Sequence, residues 1–329
     1  MKIRKKRRAE CVLLAVMLCL NGCNFGETSA AFAEDLGKSD VFRIGDTVCT
    51  LPKAKVYLCN YQNIYGSAYG INLWEHETDD NSLEEYVKDI TISELTRVIC
   101  MDELAKQQEL TLTEEEEKTA RTAAKAYYDS LTKEEISYME ISESILEEMY
   151  RDYALAQKLY TSLTEGVNDE VSDDEARVME AQQIYVTTKE KADEVKKELK
   201  SEKEFLSVAA DYNEAPRIEM KFKRGDLPEE VEKAAFALDD DEISKCIEAE
   251  EGFYFIKCTD KFNQELTDEN KLTIVQQREK EAFDDTYEAF VETLQSVLNT
   301  QLWTAVTVEQ NENITTDSFF EVYEKYYTE

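Results

Sequence analysis

Nine glycines and three prolines in 329 residues leave this chain few places where the backbone can turn sharply or be broken. Both residues punctuate helices and strands, so their scarcity predicts a mostly helical chain with short connections. Charged residues make up 33% and hydrophobic ones 42%. That balance supports a packed core and excludes wholesale disorder. The length suffices for two domains or one large one.

Hydrophobic spacing bears this out along the first half. "VFRIGDTVCTLPKAKVYLCNYQNIYG" (41–66) opens strand-like, turns at Gly45–Asp46 and takes helical spacing after Leu51–Pro52, proline suiting a first helical turn. Over 82–110, Leu83, Tyr86, Val87, Ile90, Leu95, Val98 and Leu104 recur at three and four residues, as one face of a long helix does. Thr113 with Glu116, Thr132 with Glu135 and Ser172 with Glu175 have capping-box spacing. They predict helix starts at 113, 132 and 172, the last opening a short helix over 173–180. Another helix is predicted over 142–163.

The pattern then changes. "QQIYVT" (182–187) reads as a strand, and 189–212 as two helices broken near 200–203. Residues 220–238 read as a turn and a helix, and strands follow around 243–248 and 253–258. This β-α-α-α-β-β order is a compact α+β unit. Residues 267–302 read as a long helix, "WTAVTVE" (303–309) as a strand, and the rest as a Tyr-rich acidic tail.

The N-terminus reads as a targeting segment. "MKIRKKRR" is basic, "CVLLAVMLCL" is apolar but too short to stay in a bilayer as a helix, and "LNGC" ends the run at Cys23. Small residues before a cysteine at that place resemble the bacterial lipobox. The resemblance implies cleavage before Cys23 and lipidation of its sulfur. An ordinary signal peptide cut near "SAAFA" (29–33) is the alternative. Two lipid chains hold a protein stably at a membrane. Residues 24–40 read as a flexible tether.

Residues 1–22 hold six basic and one acidic side chains, so their removal takes the formal charge from −34 to −39. Such a charge excludes a nucleic-acid partner, which needs a basic footprint. It favours solubility beside unfolded, especially basic, chains. Cys49, Cys59, Cys100, Cys246 and Cys258 form an odd set. A cross-strand bridge between Cys246 and Cys258 and five free thiols are both open. No spacing of cysteine and histidine points to a metal, and nothing calls for a cofactor. His76, the one histidine, reads as a surface residue, and Trp74 and Tyr69 near it as core or groove lining. The acidic runs at 114–117 and 239–241 read as solvated helix-start and turn charges.

"AQQIYVTTKEKADEVKKEL", "KEFLSVAADY", "FKRGDLPEEVEKAAFAL", "DEIS" and "GFYFIKCTDK" together resemble a parvulin-type peptidyl-prolyl isomerase domain. The whole layout resembles the PrsA-type extracytoplasmic foldases and their SurA-like relatives. The resemblance implies a helical chaperone domain built from 41–177 and 263–329, the latter packing back on the former, with a parvulin-like domain inserted at 178–262. It also implies histidines where Gln183 and Tyr254 stand, and an acid or cysteine where Ala215 stands. The family's glycine-rich loop is shortened here to "PRIEMKF". Apolar positions for a proline ring remain at Phe222, Leu227, Val231 and Phe253.

Gln183 and Tyr254 can each donate and accept. They read either as a neutral hydrogen-bonded pair across the sheet or as ordinary sheet-facing polar residues. The expected function is that of a lipid-anchored folding factor on the outer face of the membrane. It would bind unfolded or proline-containing secreted chains, with isomerase activity weak or lost. An active isomerase and a non-catalytic scaffold for one envelope partner are the alternatives. The resemblance also implies self-association as a homodimer.

Overall fold

The computed structural model describes residues 36–66, 83–201, 203–308 and 313–327. Cys23, its flanking signal, and Tyr69, Trp74 and His76 lie outside them. The fold is α+β. It divides into two compact units, one of residues 1–166 with 280–329 and one of residues 167–279. The expected inserted domain, 178–262, is shorter at both ends than the second unit.

In the first unit, strands β1 (Asp40–Ile44) and β2 (Thr47–Thr50) form a hairpin turned at Gly45, whose φ is +54°, a value that suits glycine. Helices α1 (Leu51–Gly66), α2 (Leu83–Gln107), α3 (Glu114–Ser130), α4 (Lys133–Met139) and α5 (Glu143–Thr164) follow. The capping boxes of α3 and α4 are both formed, each threonine hydroxyl accepting from the backbone N–H of the glutamate three residues on. Tyr86, expected on the apolar face of α2, is 45% exposed. Its ring meets Tyr65 edge-on at 5.4 Å.

The second unit begins with a short helix, α6 (Asp173–Ala176), and strand β3 (Met179–Val186). The helix expected to 180 stops at Ala176, because pairing with neighbouring strands claims residues from Met179 onward. Helices α7 (Lys189–Lys200) and α8 (Phe205–Tyr212) precede a strand the sequence reading missed, β4 (Glu219–Phe222). Helix α9 (Glu229–Ala235) and strands β5 (Ile247–Ala249) and β6 (Gly252–Asp260) complete an antiparallel sheet of order β4-β3-β6-β5. The arm expected over 243–248 pairs only through β5 and an isolated bridge from Ile243 to Lys257.

Helix α10 (Gln264–Val291) starts in the second unit and ends in the first. It stops short of 302, where the sequence reading placed its end. Ser296–Leu298 instead forms β7, which pairs with β1 and makes a sheet of order β2-β1-β7. The strand expected over 303–309 is a correction too. Asn299 caps a helix, α11 (Thr300–Ala305), by accepting from the Leu302 N–H, and Trp303 is buried. The Tyr-rich tail folds as helix α12 (Phe319–Tyr327).

Alternate residues of the four-stranded sheet serve two cores. Met179, Ala181, Tyr254, Ile256 and Cys258 face α9, while Ile184, Val186 and Phe255 face α7 and α8. Cys258 belongs to the first core and Cys246 packs against the second, so they form no bridge, and none of the five described cysteines is in a disulfide. Burial pushes Cys49 and Cys59 up to about 12 and Cys258 to about 11, so these three stay protonated and unreactive near neutral pH.

Gly252 opens β6 with φ +151°, and a Cβ there would lie 2.6 Å from the Val186 carbonyl oxygen and 2.8 Å from the Tyr185 ring. We expect Gly252→Ala to destabilise the second unit by roughly 1–3 kcal/mol through backbone strain. Amide exchange of residues 253–258 should quicken by tenfold or more. Unchanged protection there would refute this.

Candidate functional site

The residues matched to the isomerase site lie mostly on the α9 face of the four-stranded sheet. In β3, Gln183 pairs with Ile256, and Tyr185 pairs with Tyr254. Gln183 and Tyr254 therefore sit diagonally on one face, two pairs apart. Phe222 (paired with Met179), Leu227 and Val231 belong to the same core. Phe253 does not. It packs on the opposite face, against the core under α7 and α8, because neighbouring residues of a strand point to opposite sides.

Of the three pocket positions that converge, Phe222 is 2% exposed and Val231 is fully buried, while Leu227 is half-buried. Phe236 fills the space beside Phe222, edge-on at 5.4 Å between ring centres. The Arg177 and Arg224 guanidiniums stack on Phe236 at 4.7 and 4.6 Å, a cation–π arrangement that holds the ring in place.

The Gln183 side chain donates to the Arg217 carbonyl at 3.0 Å. Among the described residues no hydrogen bond joins it to Tyr254, so of the two readings the hydrogen-bonded pair is not formed. Tyr254 packs against the Tyr185 ring at 4.8 Å, and Tyr185 in turn donates to the Glu251 carbonyl at 2.6 Å. Burial, then the neighbouring Tyr185 and Glu251, raise the Tyr254 hydroxyl above its ordinary value. It therefore remains a neutral donor at physiological pH.

Ala215 follows two residues that organise the loop, and the sequence reading passed over both. The Asn213 amide oxygen accepts from the Tyr185 and Ala215 N–H groups, and its nitrogen donates to the Ala215 and Arg217 carbonyls. The Glu214 carboxylate takes hydrogen bonds from the Lys191 ammonium and from the N–H and hydroxyl of Thr187. The lysine first, then the Thr187 N–H and hydroxyl, hold it down at about 2. The acid beside the vacated position is thus a permanently ionised anchor for the start of α7. Its signal in the sequence was its place next to an asparagine at a helix end, where such side chains bind local backbone.

Gln183 and Ala215 also line an open cavity of about 1400 Å³ between α8 and the β4 edge, with Leu206, Ala209 and Ile218. The arrangement offers shape, apolar surface and neutral hydrogen bonds. Among the described residues it contains no histidine, and the Glu214 carboxylate beside Ala215 is engaged in structure.

Residues 162–271 match the family model of the PPIC-type PPIASE domain. A foldase protein PrsA of Caldanaerobacter subterraneus subsp. tengcongensis is 24% identical over 239 residues, which cover 65% of this chain and 73% of that one. The chain is similar to the PrsA-type, parvulin-containing foldases. A foldase protein PrsA of Halalkalibacterium halodurans is 29% identical over 154 residues, 41% of this chain and 46% of its own. The crystal structure of a PrsA peptidylprolyl isomerase from Bacillus cereus aligns with a TM-score of 0.38 and 19% identity, over 75% of this chain and 96% of that one. Gln183, Ala215 and Tyr254 stand where the sequence resemblance implies histidines and an acid or cysteine.

Proposed function

We propose that this foldase-type protein acts by binding unfolded secreted chains, and that its parvulin-like unit is a binding module with weak or lost isomerase activity. The observation that carries this is the fate of the three polar positions. One is an alanine, one is a tyrosine packed on a tyrosine, and the Gln183 amide is spent on the Arg217 backbone. Prolyl isomerisation has a barrier of about 20 kcal/mol. Lowering it requires groups that bind the twisted amide better than the planar one, and here the Gln183 amide is turned to the protein's own backbone. Apolar surface and exposed peptide groups suffice for weak, broad binding of extended chains.

The same reading places the protein at the outer face of the membrane, held through a lipid on Cys23. No helix among the described residues is long and apolar enough to cross a membrane.

The test follows cis–trans exchange of a proline peptide by NMR, with residues 24–329 as wild type and as Gln183→His/Tyr254→His. We expect the wild type to shift peptide signals without accelerating exchange at catalytic concentrations. Acceleration in the double variant alone would show that the scaffold kept its frame and lost its polar groups. Acceleration by the wild type would refute the reading and make the protein an isomerase with a Gln/Tyr site.

A further inference from the structure

The segment that ends the first unit is bound by its neighbours in the way a peptide is bound. Residues 314–318 form neither helix nor strand, and they alternate in burial: Ile314 and Thr316 point in, Thr315 and Asp317 point out. Their backbone groups are satisfied by side chains of the preceding helices. One Glu135 carboxylate oxygen accepts from the N–H groups of Thr315 and Thr316, both at 2.8 Å. The Asn63 amide donates to the carbonyls of Ile314 and Thr316 at 3.2 and 2.9 Å. Asn60 accepts from the Phe319 N–H at 3.0 Å, and the Tyr150 hydroxyl donates to the Phe319 carbonyl at 2.7 Å.

These six bonds read main chain, which every polypeptide offers. Side-chain reading along the extended stretch is slight, with Thr316 meeting the Tyr127 hydroxyl at 2.9 Å. Beyond it, two aromatic residues are seated. Phe319 stacks on Tyr150 at 4.5 Å, and Phe320 on Tyr61 at 5.2 Å with Tyr57 and Tyr153 around it. A core helix satisfies its own backbone. A stretch whose backbone is satisfied by host side chains and whose aromatic residues enter ring-lined seats has the form of a bound peptide.

We propose that this cleft is a binding site for extended polypeptide segments followed by aromatic residues, and that residues 313–327 occupy it as a built-in competitor that an unfolded client displaces. The inference rests on the foldase reading and gives it a site and a regulation. Because the competitor is tethered, it acts at an effective concentration that can reach the millimolar range. Clients would therefore engage only when they present several such segments or when the competitor is weakened.

The test uses residues 24–329 and two probes: a fluorescent peptide with the sequence of 313–327, and a reduced, carboxymethylated and permanently unfolded protein. Amide exchange of the wild type is followed with and without each probe. Binding of both is compared with Phe320→Ala, which loosens the competitor and leaves the cleft's own side chains intact. We expect each probe to quicken exchange within 313–327, and Phe320→Ala to bind both at least tenfold more tightly. Probe binding with 313–327 still protected would overturn the proposal, as would unchanged affinity in a folded Phe320→Ala. If that variant does not fold, wild-type exchange decides. If the unfolded protein binds nowhere, the foldase reading fails; the peptide still decides for the cleft, supporting it by entering and overturning it by failing to enter.

Discussion

Phe319→Ala is expected to destabilise the first unit by about 3–5 kcal/mol, the cost of emptying a well-packed aromatic site. Phe319 is fully buried. Its ring lies 4.5 Å from Tyr150, 5.4 Å from Tyr57 and Tyr127, and 5.2 Å from Phe320. Alanine leaves those four rings facing a void, and the hydrogen bonds from Tyr150 and to Asn60 lose the packing that aligns them. The measurement is selective, because Trp303 is buried in the first unit and residues 167–279 contain no tryptophan. Urea unfolding followed by tryptophan fluorescence therefore reports the first unit. The midpoint should fall with little change in slope. A loss below about 1 kcal/mol, the range of surface substitutions, would mean that the tail is not seated between α3 and α5.

That seat was only half visible in the sequence. Phe319, Tyr323 and Tyr327 recur every four residues, a helical stripe read as a tail because it follows a short acidic and polar run. Its hosts could not be read. Asn63 meets Ile314 across 251 positions and Glu135 meets Thr315 across 180, and no local pattern encodes such distances. The capping boxes of α3 and α4 were legible because their physics spans four residues. β7 was not, because "SVL" becomes a strand only by pairing with β1, and nearby "WTAVTVE" has the stronger intrinsic β preference.

The candidate site shows the same division. The resemblance of short motifs is what assigns Gln183, Ala215 and Tyr254 to the site. The face of each followed from strand parity, and Phe253 could have been excluded by that rule alone, since it neighbours Tyr254. The engagement of Gln183 by Arg217, and of Glu214 by Thr187 and Lys191, depends on how the shortened loop returns to the sheet. That geometry arises only in the fold.

Glu94→Gln is expected to remove a pH dependence from the first unit while preserving the shape of the side chain. Glu94 is buried in α2, and burial raises its carboxyl to about 7 against the partial opposition of Arg97. Between the ordinary value of 4.5 and about 7, the folded protein holds a proton that the unfolded chain has lost. The unfolded state then binds fewer protons, so this group's contribution makes stability fall as pH rises through that window, and level off above it. The full swing is on the order of 3 kcal/mol.

Other groups pull the wild-type curve both ways. Buried Asp102 and half-buried Asp152 are raised like Glu94, while Glu103 and Glu116 are lowered by their hydrogen bonds. The informative quantity is therefore the stability difference between Glu94→Gln and wild type, in which these groups cancel. It should move in favour of the variant from pH 5 to 7 and stay constant from 7 to 8, by tryptophan-monitored urea unfolding. A difference independent of pH would mean that Glu94 is ionised throughout, held by Arg97. The consequence reaches the tail, because the charge on Glu94 acts on Tyr57, Tyr61 and Tyr153, the three tyrosine rings around Phe320. Ionisation places a charge beneath an apolar seat, so the segment 313–327 should exchange faster at pH 8 than at pH 6 beyond the chemical pH effect, and Glu94→Gln should remove that excess.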